Sequence, residues 1–373
     1  MEPKVPPFRA DHVGSLLRPE GLRAARAQAQ RGEITAAALS GIEDAAIADV
    51  VAMQEVAGLS GITDGEFRRA HFLVDFLTAL DGIAPMHSNY AVKFRGAQGE
   101  SGETHSMLAV NRKIRRTRPI AVADFGFLRA ATTGTPKLCI PSPTYIHMRG
   151  GRASVSEQVY PDIEEFWHDI IRAYHEEIAD LAAAGCSYLQ LDEIVFATIC
   201  DEAIRARMRQ DGLDPDAVAA RYAEVVDAIA AGAPAGMTVT VHTCRGNHRS
   251  MWMAEGGYDR VAEIVFSQPH VDAFFLEYDT ERAGGFEPLR FIPKDKKVVL
   301  GLVSSKSAVL ESKDALKRRI DEASRYVPLE RICLSPQCGF ASTEYGNCIT
   351  PQIQRRKLEL VVEVATEVWG SAS

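Results

Sequence analysis

The chain has 373 residues, and its 42 Lys and Arg stand against 50 Asp and Glu, so the formal net charge is −8. Its 46% apolar and 25% charged residues are typical of a folded globular protein and exclude a disordered chain. The acidic balance argues against nucleic-acid binding, which needs a surplus of Lys and Arg to neutralise phosphates. No apolar run reaches the roughly 18 residues of a membrane-spanning helix, and the N-terminal segment lacks the apolar stretch of a signal peptide. We therefore expect a cytoplasmic protein that binds neither nucleic acid nor membrane.

Eight short segments rich in Val, Ile, Leu and Phe predict β-strands, and such apolar runs are typical of parallel strands buried on both faces. In chain order the predicted strands are 11–14, 61–65, 137–141, 188–192, 237–242, 273–277, 298–303 and 332–335. Helical patterns lie between many of them, at 35–57, 163–184, 216–230, 258–265, 313–324 and 351–369. Thr35 is the expected N-cap of the first helix, and Gly185 is the expected C-cap after the second.

Strands that alternate with helices in this way predict an α/β fold of the (β/α)8, or TIM barrel, type. An open doubly wound sheet is the alternative. We favour the barrel because polar residues follow nearly all eight strands, whereas a doubly wound sheet places its ligand at one switch point. We expect a single domain over residues 1–373 with an insertion at about 83–119 after the second strand. This polar, Gly-rich insertion is either a loop or hairpin above the barrel mouth or a disordered surface excursion.

The seven cysteines are isolated, and no Cys-x-x-Cys pair occurs. This pattern argues against a disulfide framework in a large cytoplasmic chain. Five cysteines are interpreted as small buried apolar residues. They are Cys139, Cys186, Cys200, Cys333 and Cys348.

Four side chains that commonly bind metals lie at the ends of three predicted strands. His242 and Cys244 end the fifth strand, Glu277 ends the sixth, and Cys338 follows the eighth. Because the carboxyl ends of parallel barrel strands face one cavity, the four would meet there. Imidazole, carboxylate and two thiolates form a set that Zn²⁺ accepts. The alternative is structural: cysteines that only pack, a hydrogen-bonded histidine, and a glutamate that caps a helix or pairs with an arginine.

The motifs VHTCRGN, FFLEYD and LSPQCGFAS resemble the zinc motifs of the catalytic barrel of cobalamin-independent methionine synthase and its single-barrel relatives, which include the epoxyalkane:coenzyme M transferases. DHVGSLLRP, ITDGEFRR and LQLDE extend the resemblance over nearly the whole chain. It implies a zinc-dependent (β/α)8 barrel in which His242, Cys244, Glu277 and Cys338 bind the metal. Zinc would hold a substrate thiolate ready to attack an alkyl carbon. Glu277 is the ligand expected to move, since carboxylate is the hardest of the four donors.

The resemblance also implies where an amino-acid thiol binds. Asp192 and Glu66 match the family's carboxylates that hold the amino group of homocysteine, and Gly14 and Ser15 resemble the segment that holds its carboxylate. These roles suit the residues, because an ammonium pairs with carboxylates and a carboxylate takes backbone N–H and hydroxyl donors. The alternative is that Asp192 and Glu66 cap helices or form ion pairs with nearby arginines: Arg68, Arg69 or Arg245.

Departures from the family pattern bear on the alkyl donor. The resemblance covers only the catalytic barrel of the long methionine synthases, which carry a second, N-terminal barrel. The catalytic histidine after strand seven has no match, and Lys306 lies near that place, where it could donate a proton or bind an anion. The folate-stacking tryptophan has no match either, and Tyr145 or His147 is the candidate substitute. The donor is therefore methyl-folate, methyl-cobalamin or a small epoxide. We expect methyl-folate to be poor, because its amine leaves only with a positioned acid.

Three functions stay open on this basis. The favoured one is a zinc-dependent thiol S-alkyltransferase that methylates homocysteine to methionine. The second is an alkyltransferase of the epoxyalkane:coenzyme M type, and the third is a metal-binding barrel without alkyl transfer. Asp192 and Glu66 favour an amino-acid thiol, since coenzyme M has no amino group. The predicted partners are a small-molecule thiol and an alkyl donor, and a homo-oligomer is compatible with the sequence.

Overall fold

Ten β-strands are present in the computed structural model, which describes residues 5–373. The first four residues of the predicted domain 1–373 lie outside the described residues. The strands are β1 (Gly61–Ile62), β2 (Asp81–Arg95), β3 (Ser101–Arg115), β4 (Thr135–Pro136), β5 (Leu138–Pro141), β6 (Tyr188–Asp192), β7 (Thr238–Thr243), β8 (Ala273–Glu277), β9 (Lys297–Val303) and β10 (Ile332–Pro336).

The parallel strands β5 to β10 lie side by side in chain order. β4 is separated from β5 only by Lys137 and pairs in parallel with β1, so β4 and β5 share one strand position. The segment around Ala10 closes the sheet, because Ala10 bridges Leu334 of β10 in parallel. On its other side, the N–H of Leu16 donates to the carbonyl oxygen of Gly65 at 3.0 Å. Eight strand positions therefore form a (β/α)8 barrel, and the predicted fold is confirmed.

The barrel strands are short and apolar because both faces of the sheet are buried. Every residue of β5, β6, β7, β8 and β10 is buried. A small apolar cluster fills the space inside the sheet, and its members are Phe8, Val13, Tyr188, Phe275, Val299 and Cys333. A fully buried ion pair of 3.0 Å joins Lys137 to Asp11 beside this cluster. The Lys137 ammonium also lies over the rings of Tyr188 and Phe275.

Twelve α-helices are found within residues 5–373. They are α1 (Glu20–Gln30), α2 (Ala36–Val56), α3 (Val74–Leu77), α4 (Val122–Ala131), α5 (Thr144–Gly150), α6 (Ile163–Ala183), α7 (Val195–Thr198), α8 (Glu202–Gln210), α9 (Pro215–Ala230), α10 (Ala262–Val265), α11 (Lys313–Ala323) and α12 (Pro351–Trp369). Short 3₁₀ helices occupy Gly151–Ser154, Tyr258–Arg260, Glu281–Ala283, Glu287–Phe291 and Leu329–Arg331. In this part of the chain, no helix has the length and apolar character needed to cross a membrane.

Both predicted helix caps are confirmed. The Thr35 hydroxyl accepts a hydrogen bond of 3.1 Å from the N–H of Ala38 in the first turn of α2. Gly185 follows α6 with a φ of 93°, the left-handed conformation that glycine adopts without steric cost.

Some predicted elements differ from the structure. The predicted strand 11–14 is not a regular strand, because Gly14 has a φ of 133°. The predicted strand 61–65 ends at Ile62, since Gly65 and Glu66 turn the backbone with φ values of 68° and 60°. The predicted helix 258–265 is divided into a 3₁₀ helix and α10. Several helices were not predicted, namely α1, α3, α4, α5, α7 and α8.

The segment 83–119 lies mostly in an antiparallel hairpin formed by β2 and β3. Arg95 of β2 and Trp252 in the loop after β7 exchange two backbone hydrogen bonds of 2.8 and 2.9 Å. Val110 of β3 bridges Val155 on the other side of the hairpin. These contacts fix the hairpin above the carboxyl ends of the barrel strands. The description of the chain as one domain with an insertion stays a prediction.

Candidate functional site

A cavity of about 330 Å³ lies at the carboxyl ends of the barrel strands. Asp192 at the end of β6, His242 near the end of β7 and Cys338 after β10 contribute to its barrel side. Phe94 and Met107 of the hairpin cover it. Barrel enzymes place their active sites at this end of the strands, and the volume suits a small molecule. The cavity is therefore the candidate functional site.

Three of the four predicted metal ligands meet at one wall of this cavity. His242 and Cys244 are 2% exposed, and Cys338 is 5% exposed. The Sγ atoms of Cys244 and Cys338 are 3.5 Å apart, and one ligand atom from each of the three residues lies within 4.8 Å of the other two. Within residues 5–373, neither ring nitrogen of His242 has a hydrogen-bond partner. An unpartnered buried imidazole is costly unless a ligand occupies it.

These three side chains fit a tetrahedral zinc ion. With Zn–S distances of about 2.3 Å, two thiolates at tetrahedral corners lie roughly 3.8 Å apart, close to the 3.5 Å between Cys244 and Cys338. A free imidazole nitrogen of His242 would supply a third donor. One imidazole and two thiolates bind Zn²⁺ more strongly than harder cations such as Mg²⁺.

The electrostatics of the three ligands favour a bound cation. The hydrogen bond between Cys244 and Cys338 lowers the pKa of Cys244 and raises the pKa of Cys338. Burial disfavours the imidazolium form of His242, but nearby Cys244, Asp192 and Glu277 outweigh burial and raise its pKa. A divalent cation would displace these protons, because only the deprotonated forms are ligands.

The fourth predicted ligand, Glu277, is turned toward positive groups. Its Oε2 atom accepts a hydrogen bond of 2.5 Å from the backbone N–H of Arg245, and its Oε1 atom accepts one of 2.8 Å from Arg282. Burial alone would raise the pKa of Glu277, but Lys306, Arg245 and Arg282 lower it to about 2. Arg245 directly follows Cys244 in the chain, so the Glu277 carboxylate is bound beside the metal-ligand cluster. Glu277 is not one of the three residues that form this cluster. A metal-binding role for Glu277 stays a proposal.

Lys306, the residue near the place of the family's catalytic histidine, faces Glu277. Its Nζ atom is 3.7 Å from Oε1 of Glu277 and has no hydrogen-bond partner in the described part of the chain. Lys306 is not among the described residues that line the cavity. The structure therefore brings it to the carboxylate behind the cavity wall.

The two predicted amine-binding carboxylates lie together on another wall. Oxygen atoms of Glu66 and Asp192 and the Sγ atom of Cys139 are within 4.8 Å of one another. Burial, reinforced for Glu66 by the charge of Asp192, raises the pKa of Glu66 to about 7, and burial raises that of Asp192 to about 6. Gln190 donates to Asp192 at 2.7 Å, while Oε2 of Glu66 has no partner within residues 5–373. Such a pair of buried carboxylates suits a cationic ligand.

Gly14 and Ser15 lie beside this pair. A Cβ atom on Gly14 would be 2.6 Å from the Sγ atom of Cys139, so only glycine fits the backbone at this point. Ser15 is 4% exposed and lines the cavity. A Cβ atom on Gly339 would meet the Ser15 hydroxyl oxygen at 2.0 Å. The two glycines thus let the backbone near Ser15 pack closely around the cavity wall.

Two of the arginines considered as structural partners of these carboxylates are engaged elsewhere, whereas the charge of buried Arg69 lowers the pKa of Glu66 against the effect of burial. Arg68 pairs with Asp44 at 2.6 Å and Asp124 at 3.2 Å. Arg69 donates to the carbonyl oxygen of Cys139 at 2.7 Å, and Arg245 lies by Glu277. The ion pairs found within 4.0 Å in residues 5–373 include none between these arginines and Asp192 or Glu66.

Aromatic residues on the hairpin side of the cavity were not among the predicted site residues. Phe94 of the hairpin stacks on His248 with ring centroids 4.8 Å apart, and His71 stacks on Phe72 at 5.1 Å. Tyr145, one of the two substitutes for the stacking tryptophan, lines the cavity. The other, His147, hydrogen-bonds Tyr222 at 2.8 Å and is not among the lining residues. Aromatic residues in a predicted insertion were the available signal.

Residues 8–367 match the protein family described as cobalamin-independent synthase, catalytic domain. A Bacillus subtilis protein named uncharacterized protein YxjG is 44% identical over 371 residues, which cover 99% of this chain and 97% of that protein. The 5-methyltetrahydropteroyltriglutamate–homocysteine methyltransferase of Thermotoga petrophila is 23% identical over 93% of this chain and 43% of its own length.

A crystal structure from Listeria monocytogenes, described as a proposed vitamin-B12-independent methionine synthase, has a similar fold. It is 36% identical, with a TM-score of 0.77, and the match covers 99% of this chain and 100% of that chain. The likeness spans the barrel and its insertion together.

Proposed function

The chain belongs to the cobalamin-independent synthase catalytic-domain family, and on this premise we propose that it is a zinc-dependent S-methyltransferase that converts homocysteine to methionine. The observation that carries the proposal is one cavity with two complementary walls. One wall gathers His242, Cys244 and Cys338, and the other gathers the carboxylates of Glu66 and Asp192. A thiol that also carries an ammonium group matches both walls.

In this proposal His242, Cys244, Cys338 and Glu277 hold the metal. Zinc would keep the substrate sulfur as a thiolate at neutral pH, which is its nucleophilic form. Two cysteine thiolates would balance the double positive charge, so that an added thiolate stays electron-rich. The cysteine ligands thus serve the reactivity of the sulfur as well as the binding of the metal.

The chain's own residues would orient the amino acid. Asp192 and Glu66 would bind its ammonium, which relieves the repulsion between two buried carboxylates and makes both fully ionised. Backbone N–H groups near Gly14 and the hydroxyl of Ser15 would bind its carboxylate. Phe94 and Met107 would exclude water from the thiolate, since they cover the cavity from the hairpin.

The choice of methyl donor depends on whether the site contains a group that could protonate it. A folate amine leaves only after protonation by a positioned acid. Lys306 is directed at Glu277. Burial lowers the pKa of His71 to about 4 and also lowers the pKa of His248. Both histidines are therefore mainly unprotonated at neutral pH and have no proton to donate. We therefore keep the proposal that a preactivated donor such as methyl-cobalamin is used better than methyl-folate, although the Thermotoga petrophila relative is named for a folate donor.

A coenzyme M acceptor fits less well. Its sulfonate needs cations, whereas Arg68 and Arg245 are already paired with carboxylates, and the carboxylates of Glu66 and Asp192, which line the cavity, would repel a sulfonate. A metal-binding barrel without alkyl transfer would bind zinc but give no thiol-dependent turnover. The proposed enzyme and this non-enzymatic alternative therefore differ in a measurable product.

The test combines metal analysis with sulfur counting. Purified protein should contain near-stoichiometric zinc, and Cys244→Ser and Cys338→Ser should each lose most of it, whereas Cys348→Ser, at an exposed cysteine, should lose none. X-ray absorption should then show a third sulfur on zinc when homocysteine is added, with release of a proton. Methionine formation from methyl-folate and methyl-cobalamin at matched concentration identifies the donor. An unchanged zinc environment at saturating homocysteine would refute the proposed acceptor.

A further inference from the structure

Arg282 contacts two carboxylates and an aromatic ring beside the proposed metal ligands. Its guanidinium donates to Oε1 of Glu277 at 2.8 Å and to Oδ1 of Asp279 at 3.1 Å. It also lies over the ring of Trp252, 4.4 Å from the ring centre. The side chain is only 10% exposed. Arg282 is therefore held between two carboxylates and an indole ring.

Glu277 can leave this arrangement without stranding Arg282. If the Glu277 carboxylate turned toward the metal ligands, Arg282 would keep Asp279 as a charged partner and Trp252 as a stacking partner. A buried cation without any carboxylate would be costly. Arg282 therefore keeps a charged partner in either position of the Glu277 carboxylate.

Trp252, on which Arg282 stacks, is itself held in place. Trp252 exchanges two backbone hydrogen bonds with Arg95 of the hairpin, and its indole N–H donates to Glu255 at 2.9 Å. Stacking on a held indole ring limits the movement of a guanidinium more than a solvent-exposed position would. Arg282 is thus a fixed hydrogen-bond donor to the carboxylate and not a mobile surface charge.

We propose that Arg282 is a positioning residue that receives the Glu277 carboxylate when the substrate thiol takes its place on the metal. The inference rests on the proposed function. In this exchange Glu277 would give up its place on the metal to the thiolate sulfur, the thiol proton would leave to solvent, and the carboxylate would stay ionised against Arg282.

Removing the Arg282 side chain should weaken thiol binding and leave metal binding intact. In Arg282→Leu the displaced carboxylate loses a charge-assisted hydrogen bond, so the dissociation constant for homocysteine should rise about tenfold to hundredfold. Zinc should bind at least as tightly as in the unaltered protein, because Glu277 has less reason to leave it. Arg282→Lys keeps one charged donor and should give an intermediate rise.

Cobalt-substituted protein provides the measurement. Its visible absorption changes when an oxygen ligand is replaced by sulfur, so a homocysteine titration gives the dissociation constant without turnover, and zinc X-ray absorption counts the sulfurs. Arg290→Leu is the matched control, because Arg290 also stacks on an aromatic ring, that of Phe291, and is exposed. It should titrate like the unaltered protein.

The outcomes separate the two proposals. If the unaltered protein adds no third sulfur, the proposed function and this inference both fail. If it does, and Arg282→Leu adds sulfur with unchanged affinity, only the role of Arg282 is wrong. Loss of zinc from Arg282→Leu and Arg282→Lys alike would also overturn the inference, since Arg282 would then support the metal site itself.

Discussion

Replacing Asp192 by Asn tests whether the paired carboxylates recognise the substrate ammonium. Asp192 is buried and lies beside Glu66 on the same wall of the cavity. A charged hydrogen bond contributes about 1.5–3 kcal/mol, so its loss should weaken homocysteine binding about tenfold to hundredfold. Part of this loss is offset, because Asp192 helps to raise the pKa of Glu66, and in the variant Glu66 is more fully ionised. We therefore expect the lower half of that range.

The assay compares two thiols on the same proteins. Homocysteine and 4-mercaptobutyrate, which lacks the amino group, are titrated into the unaltered protein and Asp192→Asn after zinc loading. Only homocysteine should lose affinity in the variant, and zinc content and thermal stability should be unchanged. Equal losses for both thiols would show that Asp192 supports the structure of the site, and the assignment of the amine-binding wall would be wrong.

Two further predictions concern ionisation and stability. Burial and Asp192 raise the pKa of Glu66 to about 7, so its charge is present above this pH and is lost below it; homocysteine affinity should fall between pH 8 and pH 6 more steeply than 4-mercaptobutyrate affinity, and Glu66→Gln should make the two slopes equal. Lys137→Met should lower the free energy of unfolding by about 3–5 kcal/mol, because it leaves the Asp11 carboxylate buried without its cation; denaturant titration should show a smaller loss for the double variant Asp11→Asn/Lys137→Met, and an equal loss would contradict the ion-pair explanation.

The strands could be predicted where burial on both faces left an unbroken apolar run. Tyr188–Asp192 and Ala273–Glu277 have the predicted bounds for this reason. The predicted strand 11–14 was wrong because Gly14 has a positive φ, which interrupts the extended backbone, and a side chain at this position would meet the Sγ atom of Cys139. Short helices such as α3 and α7, with four residues each, carry too few residues to show a helical period.

The site could be predicted in composition more than in contacts. The strand ends located His242, Cys244 and Cys338 together, because parallel strands deliver their carboxyl ends to one cavity. The partner chosen by Glu277 depends on Arg282, which lies in a 3₁₀ helix five residues further on and has no sequence signal for its direction. Cys139 was interpreted as a packing residue, and nothing in its neighbourhood along the chain indicates that it lies beside two carboxylates.

The spacing of the two walls is set by the sheet itself. Asp192 and His242 are register partners on the neighbouring strands β6 and β7, so the amine-binding and metal-binding ends are about one strand spacing, roughly 4.8 Å, apart at the backbone. Four bonds separate the sulfur of homocysteine from its nitrogen, which at ordinary bond lengths spans roughly 5 Å when extended. Cysteine has one bond fewer between its sulfur and its nitrogen, so it spans roughly 4 Å and matches this spacing less well. The spacing of adjacent strands thus sets the length of the thiol that can contact both walls. The proposed thiol substrate follows from the residues that end these two strands.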